Sequence, residues 1–188
     1  VITHHGLFQP KSSKFDSKIN AAKKKFLTAR KISLYSAHLP LDKNLKYGNN
    51  ATLCRIMNAK PKEIFDGVGY VGNLPKANSI DQLADALRRG LKANIKVYRF
   101  GKTKGIRNIA VCSGYGGGGI NEAIAKKADL YLTGEISHGG FVKIRDSKMS
   151  VIVAGHYATE TVGVKEVGKM LTEKFGLKTV FIDSPTGM

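Results

Sequence analysis

The chain has 188 residues, 42% of them hydrophobic, which is enough for a packed interior and too apolar for wholesale disorder. Lys and Arg number 31 against 14 acids, a net charge of +17 that favours anionic partners: nucleic acid, nucleotide phosphates or an acidic surface. Cys54 and Cys112 lie far apart and form no CxxC pair, which excludes a disulfide framework and a thiolate zinc finger. No apolar run approaches the ~18 residues of a membrane span, and no signal peptide is visible. A cytoplasmic protein with no membrane partner is expected.

Residues 1–3 read as the end of a strand with His4-His5 at its tip, so the chain looks like the C-terminal portion of a longer one. Ile19–Lys31 has the apolar spacing of an amphipathic helix. Lys11, Lys14, Lys18, Lys23, Lys24, Lys25, Arg30 and Lys31 crowd this region against one acid, Asp16. They form either a solvated face or a phosphate-facing patch. A short β run, Ile32–Ala37, ends at His38-Leu39-Pro40-Leu41-Asp42. Residues 48–58 read as a helix with Asn49-Asn50 in its cap region. Gly67–Pro75 holds three glycines and a proline and reads as turns or a lobe boundary. Ser79 and Gln82 form a capping box for a helix carrying Leu83, Ala84, Leu87 and Leu91.

From Asn108 onward strands and helices alternate. Strands are expected at Ile95–Phe100, Asn108–Cys112, Asp129–Thr133, Val151–Ala154 and Val180–Asp183, and helices at Ile120–Ala128 and Val162–Phe175. That alternation predicts an α/β fold, two-lobed, with mixed, largely parallel sheets flanked by helices. One lobe comprises residues 1–61 plus 106–188, and 62–105 form a smaller inserted lobe.

All five histidines, His4, His5, His38, His138 and His156, follow apolar β-like runs closely. If the strands are neighbours, the histidines converge on one rim. Carboxylates accompany them: Asp42 is four residues after His38, Glu135 three before His138, and Glu160 four after His156. Imidazole with carboxylate is ligand chemistry for Zn, Mn, Fe and similar ions. More ligands than one ion needs point to two ions. Each pair alone also reads as a simple salt bridge, and adjacent histidines in a regular strand face opposite ways. They converge only where the strand ends and turns, with Gly6 supplying the freedom. The glycine loop Cys112–Gly119 precedes a helix and lacks the Lys-Ser/Thr of a P-loop. Either it binds phosphate through Gly114, Gly116, Gly117 and Gly118, or it is a tight turn that lets backbone approach the rim.

Four motifs in order resemble the YbgI/Nif-three-like dinuclear metal proteins, the GTP cyclohydrolase I type 2 homologues. They are Ile2-Thr3-His4-His5-Gly6, Tyr35–Asp42, Asp129–Glu135 and Ala154–Glu160. The resemblance implies two divalent transition-metal ions (Zn, Fe, Mn, Co or Ni) held by His4, His5, Asp42, His156 and Glu160, with Glu160 bridging. It places His38, Glu135 and His138 on the rim. It also implies a toroidal homohexamer built from dimers, and further elements ahead of the His-His motif. Leu39 stands where many relatives carry a small polar residue.

The function expected is a metal-dependent hydrolase acting on a nucleotide or phosphate-bearing substrate. His38 and His138 would shuttle protons, and Glu135 would orient water or accept a proton. The family label narrows this to GTP ring opening. The alternatives are a nucleic-acid- or protein-binding regulatory factor with a structural metal centre, and a metal store. Two ions would add four positive charges to the +17, so an electropositive cavity with an anionic ligand is expected.

Overall fold

The structure, a computed structural model, describes residues 1–7 and 14–186, with the side chains of 14–17 excepted. Lys11 and the side chains of Lys14 and Asp16, named above in the basic stretch, lie outside the described residues. The chain divides into two compact units, Val1–Leu39 and Pro40–Met188.

In the first unit, β1 (Ile2–Thr3) pairs in parallel with β2 (Tyr35–Ser36), in the register Ile2 to Tyr35 and Thr3 to Ser36. The helix α1 (Lys14–Ala29) connects them, as parallel strands require a crossover. Its Lys18, Lys23, Lys24 and Lys25 are exposed, and so are Ile19 and Phe26. The short helix α2 (Leu39–Asp42), whose last three residues belong to the second unit, follows β2 and includes Pro40 in its first turn, where the missing N–H is harmless.

The second unit is built on one six-stranded mixed sheet in the order β3-β4-β6-β7-β8-β5. The strands are β3 (Lys60–Phe65), β4 (Gly69–Asn78), β5 (Lys96–Tyr98), β6 (Ile106–Tyr115), β7 (Leu130–Glu135) and β8 (Val151–Val153). Strands β6, β7 and β8 run parallel at its centre, and β3, β4 and β5 join antiparallel. The helices are α3 (Asn49–Ile56), α4 (Ile80–Leu91), α5 (Ile120–Ala125), α6 (His138–Asp146) and α7 (His156–Phe175).

Alternation along the strands sorts the core into two layers. Ile109 and Val111 of β6 pack with Leu53 of α3, Leu83 and Leu87 of α4 and Val162 of α7. Ala110 and Cys112, between them in sequence, pack with Ile120 and Ala123 of α5 and Ile144 of α6. The sheet is therefore covered on both faces, as buried parallel strands require.

Several elements differ from the sequence expectation. Gly67–Pro75 is not a run of turns: only residues 66–68 turn, and Gly69 opens a ten-residue strand. Its glycines mark close approach, since a Cβ on Gly69 would strike the Val111 carbonyl oxygen of the neighbouring strand. Val180–Asp183 is not a strand. Among the described residues it has no ladder partner, and Val180 and Ile182 are left exposed. Side chains hold this tail instead: the Tyr157 hydroxyl donates to Asp183 Oδ1 at 2.7 Å and accepts from the Ser184 amide at 2.8 Å. The capping box at Ser79 and Gln82 is present as expected.

Candidate metal site

In the first unit the parallel pairing of β1 and β2 places both strand ends on the same side. The residues that follow them, His4-His5 and His38, are thereby brought together. The chain bends at His4 and His5, which lets adjacent side chains leave the opposite-face geometry of a strand. The Thr3 hydroxyl pins that bend by donating to the His5 carbonyl at 2.7 Å, and Thr3 and Ser36 hydroxyls meet at 3.1 Å. The three rings lie with centroids 4.8 Å (His4–His5), 5.0 Å (His4–His38) and 4.7 Å (His5–His38) apart. One ring nitrogen from each falls within 4.8 Å of the others. His4 is buried, and His5 and His38 are exposed. His38, assigned to the rim on the resemblance, thus stands among the paired histidines themselves.

In the second unit the functional side chains gather at the carboxyl ends of the three parallel strands, where ligands of α/β sheets collect. Strand β6 ends in Ser113-Gly114-Tyr115, β7 ends in Glu135, and β8 leads through Gly155 into α7 at His156. His156 lies between two carboxylates, with Nδ1 3.2 Å from Glu135 Oε1 and Nε2 3.1 Å from Glu160 Oε2. His156 and Glu160 share one helix face at i,i+4.

Gly114 makes this close approach possible. It sits in a bulge of the β6–β7 ladder with φ of +62°. A Cβ there would collide with the Glu160 carboxylate and come within 3.1 Å of His156 Nε2. The loop is tied internally: the Gly114 amide donates to Thr159 Oγ1 at 3.0 Å and the Gly116 amide to Thr133 Oγ1 at 3.1 Å. Those two amides, expected as phosphate donors, are engaged within the protein. Gly117–Gly119 form a 3-10 turn ahead of α5.

Asp42 is buried and held from two sides: Asn49 Nδ2 donates to its Oδ1 at 2.8 Å, and Ser113 Oγ meets the same oxygen at 3.2 Å. Asn49 also accepts from the Gly163 amide at 2.7 Å, which ties the Asp42 carboxylate to α7. Asn50 spans the Val68 carbonyl at 2.9 Å and the Ser113 amide at 2.7 Å. These asparagines were expected as caps. Gly48 takes the N-cap position of α3 without a side-chain bond, and both asparagines are buried inside the first turn. The signal was present: two residues of low helix propensity side by side, immediately before an apolar run, have a use beyond the helix. His138 opens α6, exposed, and the structure does not join it to His156 or Glu135.

The donor set fits a divalent transition metal. It offers imidazole nitrogen and carboxylate oxygen and no thiolate, because burial pushes both cysteine thiols up to about 12. A neutral imidazole carries one N–H and one lone pair. His156 sets Nδ1 beside Glu135 and Nε2 beside Glu160, so the tautomer protonated at Nδ1 would offer its Nε2 lone pair to an ion held with Glu160. That is the arrangement of a ligating histidine oriented by a supporting carboxylate.

A mixed α/β sheet with histidines and carboxylates at its strand ends defines a protein with a candidate metal-binding site. The chain matches the Duf34/NIF3 (NGG1p interacting factor 3) family over residues 1–187, and it belongs to that family. A relative from Pyrococcus horikoshii named GTP cyclohydrolase 1 type 2 homolog is 43% identical, over all of this chain and 76% of its own length. Among solved structures, protein ybgI, described as of unknown function, superposes with a TM-score of 0.89 at 29% identity, covering 98% of this chain and 75% of its own. TTHA1606 from Thermus thermophilus does so with a TM-score of 0.84 at 35% identity, covering 100% and 75%. No helix among the described residues is long and apolar enough to cross a membrane.

Proposed function

We propose that the chain is a dinuclear metal protein whose ions are held by His4, His5, Asp42, His156 and Glu160, and that it hydrolyses a nucleotide or another phosphate-bearing substrate. The observation that carries the metal reading is the convergence of His4, His5 and His38, with ring nitrogens within 4.8 Å of one another. The His156–Glu135–Glu160 arrangement and the buried, doubly held Asp42 support it. Bound divalent ions supply Lewis acidity towards a phosphate or carbonyl oxygen. The chain's own residues prepare for that: Asn49 and Ser113 fix the Asp42 carboxylate, Glu135 orients the His156 ring, and Gly114 keeps the space beside Glu160 clear. The relatives' name points to GTP ring opening as the particular reaction. A general hydrolase needs only the site itself.

Elemental analysis of chain purified without chelator tests the metal reading. Two ions per chain are expected, with loss in Glu160→Ala and in His5→Ala. No ion in the wild type, or no loss in either variant, refutes the dinuclear site. A screen of phosphoesters and nucleotides with Mn, Zn and Fe then tests hydrolysis, with Asp42→Ala as the inactive control.

We further propose self-association into a hexamer, which light scattering after size exclusion would register as six times the monomer mass. A second reading, nucleic-acid binding, is favoured by the exposed lysines of α1. It predicts affinity that falls steeply between low and moderate salt.

A further inference from the structure

The second unit contains a cavity of about 780 Å3 that no role described above uses. It opens between the C-terminal end of α4, the edge strand β5, the ends of β7 and β8, the start of α7 and the tail after Gly176. We infer that this cavity binds a mononucleotide, its phosphate held by Lys92, Lys96 and Lys165 and its base against Tyr98, Tyr157 and Phe181.

Three observations carry this. First, three lysines from three different places in the fold line one cavity: Lys92 follows α4, Lys96 lies on β5 and Lys165 on α7. The lining also holds two carboxylates, Glu135 and Asp183, so the lysines leave it a net positive charge that favours anionic ligands. Second, the same cavity is lined by three aromatic rings, so a phosphate and a planar ring system are both provided for. The Lys165 ammonium lies 4.2 Å from the centre of the Phe181 ring, so cation and aromatic wall already adjoin. Third, the volume falls within the ~300–1,000 Å3 of small-molecule sites.

Placement links the cavity to chemistry. Glu135 lines it, and the Glu135 carboxylate meets His156 Nδ1 at 3.2 Å. A nucleotide seated there lies at the carboxyl ends of β7 and β8, beside the carboxylates of the candidate metal site. This link to reaction, though not the binding itself, rests on the metal-hydrolase reading. The tail forms one wall. The Tyr157 hydroxyl bonds with Asp183 and Ser184 fasten it there.

The test is calorimetric titration of chain stripped of metal with EDTA, at low salt, using GMP, AMP, guanosine and inorganic phosphate as probes. GMP or AMP should bind, with guanosine and inorganic phosphate each weaker by about tenfold or more. The double variant Lys92→Met/Lys96→Met should weaken the nucleotide by about tenfold or more while melting at the wild-type temperature. Lys165→Met should act in the same direction. The inference is overturned if metal-free wild type binds neither nucleotide, if guanosine or phosphate binds as tightly as the nucleotide, or if the lysine variants bind it unchanged. Because no ion is present, any of these failures leaves the metal reading standing. A failure of the elemental analysis leaves nucleotide binding untouched.

Discussion

Asn49 has more structural consequence than its place in the sequence suggests. One buried amide holds the Asp42 carboxylate with its Nδ2 and the Gly163 backbone with its Oδ1. Removing it withdraws two partners from polar groups that are out of water. Such losses cost about 1–3 kcal/mol for each group. Asn49→Ala is therefore expected to destabilise the chain by about 2–4 kcal/mol in urea unfolding, with metal content lowered as well. A change below about 0.5 kcal/mol would refute the clamp. Gly114 shows the complementary constraint: its positive φ and its contact with Glu160 and His156 leave no room for a side chain.

At the scale of elements, the parallel strands β6 and β7 are fastened together at the end opposite the site by Asp129, just ahead of β7. Its Oδ2 accepts from the amides of Arg107 and Asn108 at 2.9 and 3.0 Å, and Lys102 bonds Oδ1 at 2.9 Å. Burial alone pushes this carboxyl up. The two amides and Lys102 outweigh it and leave the group below its ordinary value. A depressed folded pKa stabilises the native chain above the unfolded value, about 3.9, and that stability is lost as pH falls through the folded value. Asp129→Asn should cost about 1 kcal/mol at pH 7. It should also flatten the loss of stability below about pH 4, so that the two proteins converge in acid. Parallel acid limbs in their pH-stability curves would contradict this. The tail after Gly176 is fastened differently, by side chains rather than a ladder. Tyr157→Phe should speed hydrogen exchange at residues 180–186 and leave the amides of β6 and β7 unchanged.

At the scale of the whole molecule, the charge of +17 and the candidate ions act on the same quantity. Positive charge is self-repelling, and bringing in ions is favourable only through strong ligation. If the ions bind the folded chain alone, each stabilises it by about 2.7 kcal/mol at a hundredfold excess over Kd. Stripping both should lower the melting temperature by about 10–20 °C for a chain of this size. Metal that can be removed with no change in melting would show that ligation and folding are uncoupled.

Much of the site was legible in the sequence because histidine is rare here and its positions share a context. His4, His5, His38 and His156 all follow short β runs, and the structure places them at strand ends. The i,i+4 spacing of His156 and Glu160 needed only helix geometry. What escaped was what depends on distant partners. Asn49 and Asn50 looked like caps because a local rule says so, and their partners Ser113 and Gly163 are far away in the chain. Gly69 and Gly72 looked like turn residues because their reason, the crowding neighbour strand, is invisible locally. The tail looked like a strand because its pattern is apolar, although no edge among the described residues pairs with it.

Sequence alone determined the family and the α/β class, because motif order and local periodicity carry them. Only the tertiary structure decided that Glu135 faces His156, that the glycine loop is bonded inward, and that three lysines share a cavity with three aromatic rings. Those are relations between residues brought together by strand register and helix packing, and no local pattern encodes them.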